Sequence, residues 1–261
     1  AYEMVIRDGV QTCALPISDK YIYDHYTVPY NVEVVYRWNQ GDVSSDDMRK
    51  NLVPPRESQV EPFLEMIEKV WVDTYTAEVG QQTLRSYIPK QILLVGSASY
   101  NDDGSTTEGT AEGGRQIVLY SVNDFNFTLE QIQSYAHVMH HEFAHILHQN
   151  VEYDAEFEKI TPSYSSSWMQ MNDETARTKG FITAYASSSA DEDFAEMVSI
   201  MLTNSPEDWD NMIESAGNAT AVEALRKKEA IVVAYMKNNW GVDMKDFQKE
   251  VVAAIEAAVR N

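Results

Sequence analysis

Five of the six histidines in this 261-residue chain fall within twelve consecutive residues, "HVMHHEFAHILH", His137 to His148. Inside that run, "HEFAH" sets His141 and His145 four positions apart and puts Glu142 directly after the first of them. Positions four apart on an α-helix differ by about 40° around the axis and one turn along it. Both imidazoles can therefore reach one tetrahedral zinc ion, at bond lengths near ~2.0–2.1 Å. Glu142 is rotated by about 100° from His141. It need not ligate and can stand beside a metal-bound water as general base. The competing reading is a polar helix face carrying solvated histidines.

A catalytic zinc usually has three protein ligands and one open position, so the third ligand sorts the possibilities. The elongated form H-E-x-x-H-x-x-G-x-x-H needs glycine at 148 and histidine at 151; His148 and Val151 stand there, which excludes it. His148 shares the face of His141 but lies about 10 Å along the axis. Three ligands from one straight helix rarely converge. His148, His137 and His140 are therefore expected behind the ligands or at the surface, with His140 the most peripheral. Downstream, "SSSADEDFAEMVS" places Glu192 and Glu196 one turn apart in the pattern E-x-x-A-E. Ser189 to Glu192 is also S-x-x-E, a capping box that would employ Glu192 at the helix start and leave Glu196 as the ligand candidate.

Thr128 followed by Gln131 is a capping-box pattern that opens the histidine helix. Ile132, Tyr135, Met139, Phe143 and Ile146 form an apolar stripe on it, with His137, His141, His145 and His148 opposite. Earlier in the chain, "NVEVVYRW" alternates with period two, placing Val32, Val34, Tyr36 and Trp38 on one side of a half-exposed strand. Pro62 can open a helix whose apolar residues Phe63, Met66, Ile67, Val70 and Trp71 keep helical spacing. "KQILLVG" and "QIVLYSV" read as strands, and "NDDGSTTEGTAEGGR" between them as a mobile polar loop. The second of these strands is expected to pair with an extended substrate. The rest reads as helices over about 190–202, 221–240 and 244–259, the middle one stopped by Gly241. Strands first and helices afterwards predict an α+β fold in one domain, residues 19–261.

Net charge is −21, with 44% hydrophobic and 11% aromatic residues. Such a surface repels phosphate backbones and anionic headgroups, which argues against a nucleic-acid or membrane-surface role. No apolar run approaches the ~18 residues of a membrane span. The stretch "GVQTCALPI" reads like the translation of a sequencing-library adapter, so residues 1–18 are expected to be an artefact or disordered, and Cys13 spurious. An export signal or lipid-attachment cysteine would then have stood upstream.

The Glu192–Glu196 segment is similar to that of the glutamate zincins, the thermolysin-like and related peptidases. There the first glutamate binds zinc and the acid four residues later supports the first zinc histidine. The likeness assigns His141, His145 and Glu192 as metal ligands and Glu196 to the support of His141. It also draws in Tyr185, in "GFITAYASSS": a tyrosine just ahead of the third-ligand helix reaches across the zinc in some members, as an oxyanion partner. A packing role is the plain alternative for Tyr185, and Tyr164 is its rival. Together, "NLVPP", "GTAEGGRQIVLY", "HHEFAHILHQ" and "DEDFAEMVS" resemble the putative zinc-binding metallopeptidase family of Bacteroidota, over roughly Tyr21 to Asn204. The resemblance implies a zincin-like fold, with a small mixed sheet packed on the active-site helix and a mainly helical C-terminal half. It implies Zn2+ as cofactor, a peptide or protein substrate, and hydrolysis by a zinc-bound water that Glu142 activates. It implies an extracytoplasmic place as well, as a secreted protein or cell-envelope lipoprotein anchored through a missing amino terminus. A catalytically weak binding or scaffold protein on the same fold is the alternative, against which the intact Glu142 argues.

Overall fold

A computed structural model of the chain describes residues 17–39, 50–101, 106–107, 109–112 and 115–260. Of the segment 1–18, residues 1–16 lie outside these, while Ile17 and Ser18 open the helix Ile17–Ile22. Strands β1 (Glu33–Val35) and β2 (Gln91–Leu94) are parallel neighbours in a four-stranded sheet. Strands β3 (Ser99–Tyr100) and β4 (Thr106–Thr107) form a separate antiparallel ribbon. Strands β5 (Gly109–Glu112) and β6 (Gln116–Leu119) complete the sheet in the order β1-β2-β6-β5, with β2 and β6 parallel and β5 antiparallel at the edge. Ile92, Leu94, Ile117 and Leu119 enter the main core. Leu93 and Val118 point the other way, into a smaller cluster with Trp38, Val95 and Tyr120. Burial on both faces is why these two strands read as continuous apolar runs. The expected α+β arrangement, a small mixed sheet followed by a mainly helical half, is the one the chain adopts.

Three local expectations change. The first strand ends at Val35, so Trp38 leaves the period of two and packs on the opposite face from Val34 and Tyr36. The helix starts at Glu57 and Pro62 lies inside it. There the missing N–H removes one hydrogen bond, which the buried Val60, Phe63, Leu64, Met66 and Ile67 outweigh. Part of the glycine-rich stretch is strand β5 rather than loop, which makes β6 an interior strand with both edges paired. A substrate therefore has no free edge on β6.

The histidine helix spans Leu129–Asn150. Thr128 Oγ1 caps it, accepting from Gln131 N at 3.3 Å. The Gln131 carboxamide accepts from Asn126 N at 2.7 Å, reaching past the capping residue itself. Ile132, Tyr135, Met139, Phe143 and Ile146 are all buried, as the stripe requires. Each contributes roughly 1.5–3 kcal/mol of transfer free energy. Tyr135 meets Phe63 edge to face, and Phe143 meets Trp71 and Tyr75 likewise, which fixes the rotation of the helix against the core. Its histidine face is covered as well, by the helix Ala190–Thr203. Strand β5 lies on it too: a Cβ at Gly109 would come within 2.4 Å of Val138 Cγ1, so glycine permits that approach one turn before His141. Among the described residues no helix is long and apolar enough to cross a membrane.

His140, expected at the periphery, is fully buried. It stands four residues after Ala136 and three before Phe143, and so shares their flank of the helix. Its Nε2 donates to Val70 O at 3.2 Å, in the π-helical turn Glu68–Val72 that continues the helix from Glu57. Burial pushes this imidazole down to about 3, against the help of the Val70 carbonyl. The unfolded chain takes up a proton near pH ~6.5. The folded chain resists it until about pH 3. Stability from this group is thus complete above about pH 6.5 and is lost as pH falls toward 3. The stability difference between wild type and His140→Leu, from urea midpoints, should shrink by about 2 kcal/mol between pH 6.5 and pH 5.

Candidate metal centre

His141 and His145 project from the histidine helix toward the first turn of the helix Ala190–Thr203. Glu192 occupies that turn, and both of its anticipated employments occur together. Its backbone N–H is capped by Ser189 Oγ at 3.2 Å. Its carboxylate is left to face the imidazoles. Glu192 Oε2 lies 3.0 Å from His141 Nε2 and 3.1 Å from His145 Nε2, and the two nitrogens are 3.1 Å apart. One proton cannot serve three mutual contacts, because it lies along a single edge of the triangle. A cation faces all three corners at once. Ligands of a tetrahedral zinc with ~2.0–2.1 Å bonds stand roughly 3.3–3.4 Å apart, close to these separations. The residues present therefore fit the ion.

The remaining nitrogens are engaged in the way such a site requires. His141 Nδ1 lies 2.8 Å from Glu196 Oε1, at an angle off the ideal hydrogen-bond line. His137 Nε2 approaches the same oxygen at 2.8 Å, and Thr183 Oγ1 donates to Glu196 Oε2 at 2.6 Å. Glu196 is thus buried and used on both oxygens. It supports His141 from the Nδ1 side and leaves Nε2 with a free lone pair. His137, His141 and Glu196 are close enough to be a second candidate set. Of the set's two 2.8 Å contacts to Glu196 Oε1, the one from His137 Nε2 has hydrogen-bond geometry and the one from His141 Nδ1 does not. His145 Nδ1 lies 2.9 Å from His148 Nε2. Burial, then the neighbouring His145, push the His148 imidazole down, which favours its neutral form beside His145.

The electrostatics favour positive charge at the triangle. Burial opposes the charged form of Glu192, but the hydrogen bonds and charges of His141 and His145 outweigh it and hold the carboxyl well below the usual range. Glu196 is held low likewise, against burial, by His137 and His141. Burial also works against charge on His141, yet the two carboxylates push it up to about 10. A divalent cation exploits the same field as that proton. Glu142 is half-buried beside these groups, and burial pushes its carboxyl up.

Tyr185 lies in the 3-10 turn Tyr185–Ser187, which Thr183 Oγ1 caps at Ala186 N, 3.1 Å. Its ring stacks on His141 with centroids 5.8 Å apart. Burial, then Glu192, push its phenol up, so the hydroxyl keeps its proton. Tyr164 is engaged elsewhere: its hydroxyl donates to Asp193 Oδ2 at 3.0 Å. Asp193 Oδ2 also accepts from Lys228 Nζ at 2.5 Å, an ion pair with no exposure on either side. Lys228 Nζ reaches Gly180 O at 2.8 Å and stands 4.3 Å from the Phe181 ring centroid. Gly180 has φ +86°, which turns its carbonyl toward the lysine. Thr183 and this buried pair were not anticipated from sequence, whereas His148 stands behind His145, one of the two places expected for it.

The family model described as "Putative zinc-binding metallo-peptidase" matches residues 16–245. Among solved structures, the chain is similar to "a putative zinc-binding metallo-peptidase from Bacteroides caccae ATCC 43185", with 33% sequence identity, a TM-score of 0.80 and 92% of each chain covered. No curated protein matches it. The donor triangle lies within the matched span, and the fold that carries it is shared with a relative of that description. The chain belongs to this family.

Proposed function

We propose that the protein is a gluzincin-like zinc peptidase in which His141, His145 and Glu192 hold the ion. The observation that supports this most directly is the convergence of Glu192 Oε2 and the two Nε2 atoms at 3.0–3.1 Å. A zinc ion bound there polarises the scissile carbonyl and lowers the pKa of a water. Glu142, its carboxyl raised by burial and so a stronger base than an ordinary glutamate, takes the proton of the attacking water and passes it to the leaving amine. Tyr185, protonated and lying against His141, donates to the developing oxyanion. Glu196 and His148 orient the two imidazoles through their far nitrogens. The peptide lies along β5, the edge strand on the histidine helix, and adds to the sheet by main-chain hydrogen bonds.

Metal analysis with digestion of a peptide library, before and after chelation, tests the activity. Zinc-dependent cleavage is the expected result, and zinc without cleavage of any peptide points to a binding protein instead. Two substitutions separate the roles. Glu192→Ala should empty the site. Tyr185→Phe should keep zinc and lower kcat by about 10²–10³. If Glu196→Ala empties the site while Glu192→Ala leaves it filled, the ligand assignment is reversed.

A further inference from the structure

Two aromatic rings lead outward from the metal centre, and an exposed methionine follows the second of them in the chain. Tyr185, stacked on His141, is 37% exposed. Trp168 meets its ring edge to face at 4.9 Å. Met169 follows directly in the same 3-10 turn and is 66% exposed. The strip is fixed in place. Ser165 N donates to Ser187 O at 2.9 Å, tying the segment to the turn that carries Tyr185. Tyr164 donates to Asp193, and Met171 N closes the Trp168–Gln170 turn on Trp168 O at 3.0 Å. No charged residue occurs from Thr161 to Asn172, in a chain that is 23% charged overall. A charged side chain laid on this strip would lose water without gaining a counter-ion from the segment, whereas an apolar one gains by burial.

We propose that Tyr185, Trp168 and Met169 form the subsite for a large apolar side chain of the substrate, aliphatic or aromatic. At ~3.3–3.6 Å of extended chain per residue, one ring beyond His141 places that side chain within about three residues of the scissile bond. The proposal rests on the peptidase reading and adds a substrate class to it. Because the aromatic platform is already held by its neighbours, little ordering entropy opposes binding there.

The test uses the zinc-loaded chain on a peptide library, followed by matched peptides that carry leucine or serine at the enriched position. Wild type should enrich Leu, Met or Phe at one position near the cut. It should favour the leucine peptide by about tenfold or more in kcat/KM. Trp168→Ala and Met169→Ser should each reduce that ratio; Met169 is exposed, so its replacement leaves folding intact. Calorimetric binding of the same peptides to zinc-loaded Glu142→Gln should show the preference in Kd, and adding Trp168→Ala should remove it. A flat wild-type profile, or a preference unaltered in both variants, overturns the subsite and leaves the peptidase reading standing. No cleavage of any peptide by wild type overturns that reading and the subsite with it.

Discussion

Glu142→Gln is expected to keep zinc at the wild-type level and to lower kcat by about 10²–10⁴. The substitution keeps the volume of the side chain and removes only its ability to accept a proton. None of the three atoms of the donor triangle belongs to residue 142, so the ion's corners are untouched. The same carboxyl should set the acid limb of the pH–rate profile. A base must be ionised to work, so activity is present above its pKa and lost as pH falls through it. Burial raises that pKa, with His141 and His145 pulling the other way. The limb should therefore lie above the ~4.3 of an ordinary glutamate and be absent from the residual activity of the glutamine variant. Metal content and peptide turnover measured on the same preparation decide the matter: undiminished turnover with zinc present removes Glu142 from the base role.

The parts of the site that can be read along the chain are those governed by helix geometry. The four-residue spacing of His141 and His145 is a property of one helix, and so is the fate of Glu192. As the third residue after Ser189 it offers its N–H to the cap, while its carboxylate leaves the first turn sideways. The two uses involve different atoms, so choosing between them was unnecessary. The side chains that complete the site come from longer range. Thr183 sits in "GFITAYASSS", which has no period to mark it, and it reaches Glu196 only because the turn before Ala190 folds back. His148 shares the helix face of His141 and His140 does not, yet neither position names a partner. Only packing shows that His140 faces Val70 and His148 faces His145. Strand β5 was hidden for a different reason: "GTAE" has little β propensity, and it forms because β6 offers a free edge and Gly109 lets it lie on Val138.

One distant partner did leave a mark. Lys228 falls on the buried stripe of the helix Ala219–Tyr235, with Ala221, Ala224, Leu225, Val232 and Tyr235. A lysine at a core position calls for an acid facing it, and Asp193 supplies one in the first turn of the helix Ala190–Thr203. What the sequence leaves open is which of 41 acidic residues that would be, because the pair is joined across 35 positions.

Lys228→Met should therefore destabilise the fold by about 3–5 kcal/mol, the usual result of leaving one member of a buried pair unpaired. Burial already raises the Asp193 carboxyl to about 6, with Lys228 and Tyr164 opposing it. Without the lysine, the carboxylate keeps only the Tyr164 hydroxyl on one oxygen; Oδ1 has no partner even with Lys228 in place. The variant should respond by binding a proton at Asp193, so its deficit should grow with pH above 6. The sign follows from linkage: the native state of the variant takes up a proton that the unfolded chain releases above about pH 4. Asp193→Leu combined with Lys228→Met removes both charges and should recover much of the loss, since an apolar pair of similar size has no desolvation to repay. The Gly180 carbonyl and the Tyr164 hydroxyl each lose a partner in that double variant, which sets the residue of the deficit at about 1–3 kcal/mol. Denaturant midpoints of the single and double variants at pH 6 and pH 8 measure all of this. A Lys228→Met protein as stable as wild type would show that the pair carries no load between the helix Ala190–Thr203 and the C-terminal half.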